Sequence, residues 1–81
     1  MIEENEPNDH LVIQKKIGSK IKEIRKAKGR KNYEKFANKI GLARSHYWRI
    51  EAGEENITMK SLIKILHALD TSLGDFFSDL E

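Results

Sequence analysis

The chain has no cysteine among its 81 residues. Disulfides and thiolate-bound metals are therefore excluded, and a reducing compartment, the cytoplasm, is expected. Its single proline is Pro7, and no run approaches the roughly 18 apolar residues of a membrane helix. The opening "MIEENEPNDH" is polar and acidic, the reverse of a secretory signal, and no membrane partner is expected. No segment alternates apolar and polar residues with β-branched enrichment, so no strand is expected. A phosphate-cradling glycine loop is missing too. His10, His46 and His67 fall on three different elements, none with a carboxylate at metal-ligand spacing. An enzyme is not expected, nor any cofactor or metal.

What the chain does have is charge, unevenly spread. The formal net charge is +2. Residues 1–10 carry four acids and no lysine or arginine. Residues 11–53 hold 13 lysines and arginines against Glu23, Glu34 and Glu51, a balance of +10. Residues 54–81 return to −4, with six acids against Lys60 and Lys64. The middle segment suits a polyanion. On charge alone, a solvated lysine-rich helix face reads equally well.

Five helices are expected, giving one all-α domain over residues 9–81 behind a disordered acidic tail, residues 1–8. Asp9 is a fair N-cap, and Ile13, Ile17, Ile21 and Ile24 recur at helical spacing, with Leu11 extending the stripe. Gly18 lies inside the pattern and weakens it, and the helix should stop at Lys28–Gly29. Asn32 caps a second helix from Tyr33, with Phe36, Ala37 and Ile40 inward and Gly41 ending it. A third runs from Ala43 or Arg44 to Ala52, with Tyr47 and Ile50 inward and Gly53 as its stop. Thr58 caps a fourth, whose apolar positions are Leu62, Ile63, Leu66 and Leu69. After "DTS", a short fifth helix starts at Thr71 or Ser72 and carries Leu73, Phe76, Phe77 and Leu80.

The second and third helices, at about 33–52, are separated by one glycine turn, which makes them a helix-turn-helix candidate. Ala37 is small enough for two backbones to approach, and Gly41 tolerates positive φ. With Leu42, Tyr47 and Ile50 turned inward, Arg44, Ser45, Trp48 and Arg49 must point outward. A helix fits the major groove of B-form DNA, and arginine can fork onto guanine O6 and N7. The bland alternative is plain solvated charge, with Trp48 half-covered by the loop at 53–57.

Three stretches, "IGSKIKEIRKAKG", "FANKIGLARSHYWRIEAGE" and "SLIKILHALDTSLGDFF", resemble the Cro/C1-type (XRE) helix-turn-helix family from Ile17 to about Phe77. The resemblance implies a five-helix, lambda-repressor-like DNA-binding domain. Its function would be sequence-specific regulation of transcription, as repressor or activator, usually by a homodimer on a palindromic operator. Base contacts would fall on Ala43, Arg44, Ser45, Trp48 and Arg49. Phosphate contacts would come from Arg30, Lys31, Tyr33, Lys35, Lys39 and His46. The family's arginine of helix 1 and glutamate ending helix 3 would here be Arg25 and Glu51, a structural ion pair. Four positions depart from the family pattern. Asn32 and Tyr33 replace the usual hydroxyl residue and glutamine, after a longer turn "GRKN". Alanine replaces a capping serine or threonine at position 43. Tyr47 replaces a branched aliphatic, with its ring in the core and its hydroxyl reaching an edge.

Leu73, Phe76, Phe77 and Leu80 exceed what so small a core needs and are expected to cover a second subunit, with part of the fourth helix. The stretch "ENITMKSLIKIL" is similar to controller proteins of restriction–modification systems. An alternative from another class is an antitoxin-like interaction module that binds a toxin, with DNA binding secondary.

Overall fold

The structure, a computed structural model, describes residues 9–78 and Leu80. It contains α1 (Asp9–Ala27), α2 (Tyr33–Lys39), α3 (Arg44–Ala52), α4 (Met59–Ala68) and α5 (Leu73–Ser78), and no strand among the described residues. The expected tail at residues 1–8 lies outside the described residues. Asp9 lies within α1 rather than flanking it.

Local chemistry sets the helix ends. Asn32, Thr58 and Ser72 each accept a bond from the backbone N–H three residues on, at 3.0 Å. Each side chain thus satisfies one of the N–H groups a helix start leaves unpaired. The C-termini of α1 to α4 all close the same way. In α2 the Gly41 N–H donates to Asn38 and the Leu42 N–H to Ala37; in α4 the Asp70 N–H donates to His67 and the Thr71 N–H to Leu66. This paired closure places one residue in the left-handed region. Gly41 has φ +77°, and Asp70 takes the same role at φ +55° without being glycine. Aspartate is among the few side chains that tolerate that region.

The core comprises Ile17, Ile21, Phe36, Ala37, Tyr47, Ile50, Leu62, Ile65, Leu66, Leu69 and Phe76. α3 packs on both α1 and α2. Phe36 and Tyr47 meet edge to face with centroids 5.5 Å apart, locking α2 to α3.

Three expectations about which side chains are buried need correction. Ile13 is 45% exposed and Ile63 47% exposed, while Gln14 and Ile65 are buried in their place. Successive i+4 steps precess about 40° around a helix, so a stripe of isoleucines spaced by four drifts off the core face. The buried face of α1 instead runs through Gln14, Ile17, Gly18, Ile21 and Arg25. Phe76 is fully buried in its own chain and so leaves the expected subunit interface. Leu73 and Phe77 stay exposed, and Leu80 packs partly on the core.

Gly18 does not weaken α1; it is where α1 and α3 touch. A Cβ there would fall on the Ile50 carbonyl oxygen and lie 2.6 Å from that of Glu51. Both obstacles are backbone, so neither can swing away. At Gly41 the nearest atom to a Cβ would be Lys64 Nζ, at 3.9 Å, leaving only the dihedral penalty. Gly18→Ala should therefore cost about 3 kcal/mol in urea unfolding, against about 1 kcal/mol for Gly41→Ala. Equal losses would contradict the close approach of α1 and α3.

Candidate nucleic-acid interface

α3 is held from behind by a buried ion pair. Arg25 Nε donates to Glu51 Oε2 at 2.6 Å and its Nη2 to Oε1 at 3.1 Å, a two-pronged pair across α1 and α3. Arg25 Nη1 donates to the carbonyls of Arg30 and Lys31, the latter at 2.9 Å. The side chains are only 3% and 9% exposed. Burial alone would lower the Arg25 value, but the Glu51 carboxylate outweighs it and raises it, so the guanidinium stays charged. The expected pair is therefore present, and it also latches the turn that carries Arg30 and Lys31.

Tyr47 lies against this pair. Its ring is core, as expected, but its hydroxyl does not reach an edge. The hydroxyl is buried without a hydrogen-bond partner among the described residues. Burial first, then the nearness of the Glu51 carboxylate, as an acceptor held just out of bonding geometry and then as a charge, push that hydroxyl far above the usual tyrosine value, with Arg25 opposing.

On the other side of α3, Ala43, Arg44, Ser45, Trp48 and Arg49 are all exposed. Ala43 offers no side-chain oxygen at the start of α3, unlike Asn32 or Thr58, so the first-turn N–H groups remain open to an anion. Three open concavities adjoin here. Arg30, Lys31, Asn32, Lys35 and Lys39 line one. Lys35 continues into a second with Glu34, Asn38, Ala43, Arg44 and Ser45. Arg44 and Ser45 continue into a third with Tyr33, Trp48, Arg49 and Glu54. The result is a trough with a lysine and arginine rim at one end and Trp48 at the other.

Most of the expected residues meet in this trough. Trp48 is 48% exposed and lines the same concavity as Tyr33 and Glu54. His46 is the exception: it is half-buried on the flank of α3, with Nδ1 3.7 Å from Glu55 Oε2. Carboxylates were missed. Glu34 Oε2 lies 3.5 Å from Arg44 Nη1, and Glu55 Oε1 accepts from Arg49 Nε at 2.9 Å. The "GEENI" loop advertised acids near the reading helix, but only its folding shows which arginine each one meets.

This geometry, an exposed cationic helix braced on two others across a glycine turn, defines a class. The chain belongs to the helix-turn-helix family of the XRE type, a family of DNA-binding transcription regulators; the HTH_3 Helix-turn-helix family model matches residues 21–76. The control protein C.MunI of Mycoplasma sp is 39% identical over 69 residues, which cover 85% of this chain and 93% of that protein. The plasmid copy control protein CopR of Streptococcus agalactiae is 36% identical over 50 residues, covering 62% of this chain but only 54% of CopR. Among solved structures, a mutant of the restriction–modification controller protein C.Esp1396I superposes with a TM-score of 0.76 at 36% identity, over 85% of this chain and 91% of that one.

The unpartnered Tyr47 hydroxyl makes a test of the packing behind α3. Because the folded state holds the neutral form, the stabilisation is complete below the unfolded value near pH 10 and falls as pH rises above it. The slope should be about 1.4 kcal/mol per pH unit. Tyr47→Phe should flatten that alkaline decline in denaturation at stepped pH. At pH 7 it should leave stability unchanged or raise it by about 1 kcal/mol, since no bond is lost. A large loss at pH 7 would mean that the hydroxyl is bonded.

Proposed function

We propose that the chain is a sequence-specific regulator that binds duplex DNA as a homodimer on a two-fold symmetric operator in the cytoplasm. The observation that carries this reading is the division of α3. Its inner side is clamped by Arg25–Glu51 and Gly18, and its outer side is an exposed row of Arg44, Ser45, Trp48 and Arg49. A helix so mounted enters a major groove with its first residues at base edges. Arg30, Lys31, Lys35 and Lys39 then lie along the phosphates, which position the protein without specifying sequence. C.MunI and the C.Esp1396I controller, named for control, support a control role here as well.

Pairing of two copies is supported by exposed apolar side chains on the last two helices. Met59, Ile63, Leu73 and Phe77 are 39–60% exposed, a cost in water that a second subunit would remove. A two-fold dimer would set its two α3 helices about 34–36 Å apart, one turn of DNA.

The test selects bound sequences from a random duplex pool. Arg44→Ala should relax preference at one base pair by about 1–3 kcal/mol. Lys35→Ala should weaken every duplex alike and reduce the slope of log K against log salt by about 1. Equal losses on every sequence for both variants would refute the division into reading and positioning residues. A monomer on DNA in sedimentation would refute the dimer.

A further inference from the structure

We infer that Glu55 is a specificity-determining residue of the duplex interface. It anchors Arg49 through Nε and leaves the head of the guanidinium to read a guanine. The inference rests on the duplex-binding reading and goes beyond it, because Glu55 lies outside the reading helix and is acidic.

The placement begins with the end of α3. Gly53, at φ +77°, donates its N–H to Ile50 O at 3.1 Å, and the Glu54 N–H reaches back to Arg49 O at 2.9 Å. That closure turns the chain beside the last turn of α3. Glu55, the next residue, then lies along the flank of the helix. Its Oε1 accepts from Arg49 Nε at 2.9 Å, and its Oε2 sits 3.7 Å from His46 Nδ1. The Glu55 side chain is 29% exposed, so two neighbours on α3 and the loop itself limit its freedom.

The atoms used decide the consequence. Arg49 spends only its Nε on Glu55, and its two Nη groups have no hydrogen bond to any described residue. Those are the groups that fork onto guanine O6 and N7. An arginine already fixed at Nε loses less conformational freedom when it docks, and it docks in one orientation. Arg44 differs. It is 71% exposed, and its contact with Glu34 uses Nη1 at 3.5 Å, one of the groups a base would need. That contact competes with a base for the same nitrogen, whereas the Arg49 anchor leaves both Nη groups unengaged.

Glu55 also places a negative charge next to Arg49, on the face proposed to meet the polyanion. It therefore lowers affinity for every duplex while sharpening the choice among them. Charge and anchoring separate cleanly in two substitutions. Glu55→Gln removes the charge but keeps an oxygen that accepts from Nε. Glu55→Ala removes both.

The experiment measures fluorescence-anisotropy affinities for a pool-selected duplex, its single-base-pair variants and a random duplex, at fixed salt, for wild type and both variants. Both substitutions should strengthen binding to the random duplex. Glu55→Gln should keep the wild-type preference within about twofold, while Glu55→Ala should lose about tenfold at one base pair, the value of one good arginine–guanine contact. That base pair should be the one at which Arg49→Ala also loses preference, and Glu55→Ala should cost nothing further there in the Arg49→Ala background. Preference retained by Glu55→Ala overturns the inference, as does an equal loss in both variants. Nitrogen-15 spectra of free protein give an arm independent of DNA. The Arg49 Nε–H signal should be protected from exchange in wild type and Glu55→Gln and lost in Glu55→Ala. An unprotected wild-type signal overturns the anchor even if duplex binding stands. A protected signal with no duplex preferred over random sequence overturns the duplex-binding reading and, with it, the role assigned to Glu55.

Discussion

The position of α3 depends on one buried ion pair. Arg25 and Glu51 sit at 3% and 9% exposure, where an unpaired charge of either sign would cost several kcal/mol. Their two-pronged contact, together with the Arg30 and Lys31 carbonyls, satisfies the guanidinium from three directions. Such a pair adds little net stability compared with an apolar replacement. What it adds is position: one geometry alone satisfies every bond, so α3 cannot roll or slide on α1 without exposing a charge to an apolar interior. Gly18 enforces the same register sterically, because any side chain there would push against the α3 backbone. Charge and shape thus fix the same contact.

From that fixed contact the outer face follows. Tyr47 and Ile50 face the core between α1 and α2, so the remaining positions of α3 are forced outward by helical period. The turn at Gly41 orients α2 so that its lysines flank the start of α3, and the turn held by Arg25 Nη1 adds Arg30 and Lys31 to the same rim. A polyanion along this trough would meet positioning charges at one end and base-reading groups at the other. The acids Glu34 and Glu55 temper that field and, at Arg49, supply direction.

The readable parts of the fold were those decided within a few residues. Asn32 and Thr58 as caps, Gly41 and Gly53 as stops, and the alternation of inner and outer positions on α3 all follow from local hydrogen bonding and helical period. The family resemblance added Arg25–Glu51, which spacing alone would not have paired. Misreadings arose where tertiary packing decides. Ile13 and Ile63 look like core by composition, yet their helices turn them to water, while Gln14 is drawn inside to bond Gly53 O at 3.3 Å. Phe76 and Phe77 are equivalent in sequence, and only the packing of α5 on the core separates buried from exposed. Gly18 read as a weakness because the partner backbone it admits lies more than thirty residues away in sequence. Glu55 was illegible for the same reason: its partner is set by how the loop after α3 closes.

The central claim is that the outer face of α3 enters the major groove. Methylation interference on a pool-selected duplex tests it directly, since dimethyl sulfate marks guanine N7 in the major groove and adenine N3 in the minor groove. The account predicts that N7 methylation of guanines within each half-site blocks binding while adenine N3 methylation there does not. Interference confined to adenine N3, or none at any guanine, would contradict it.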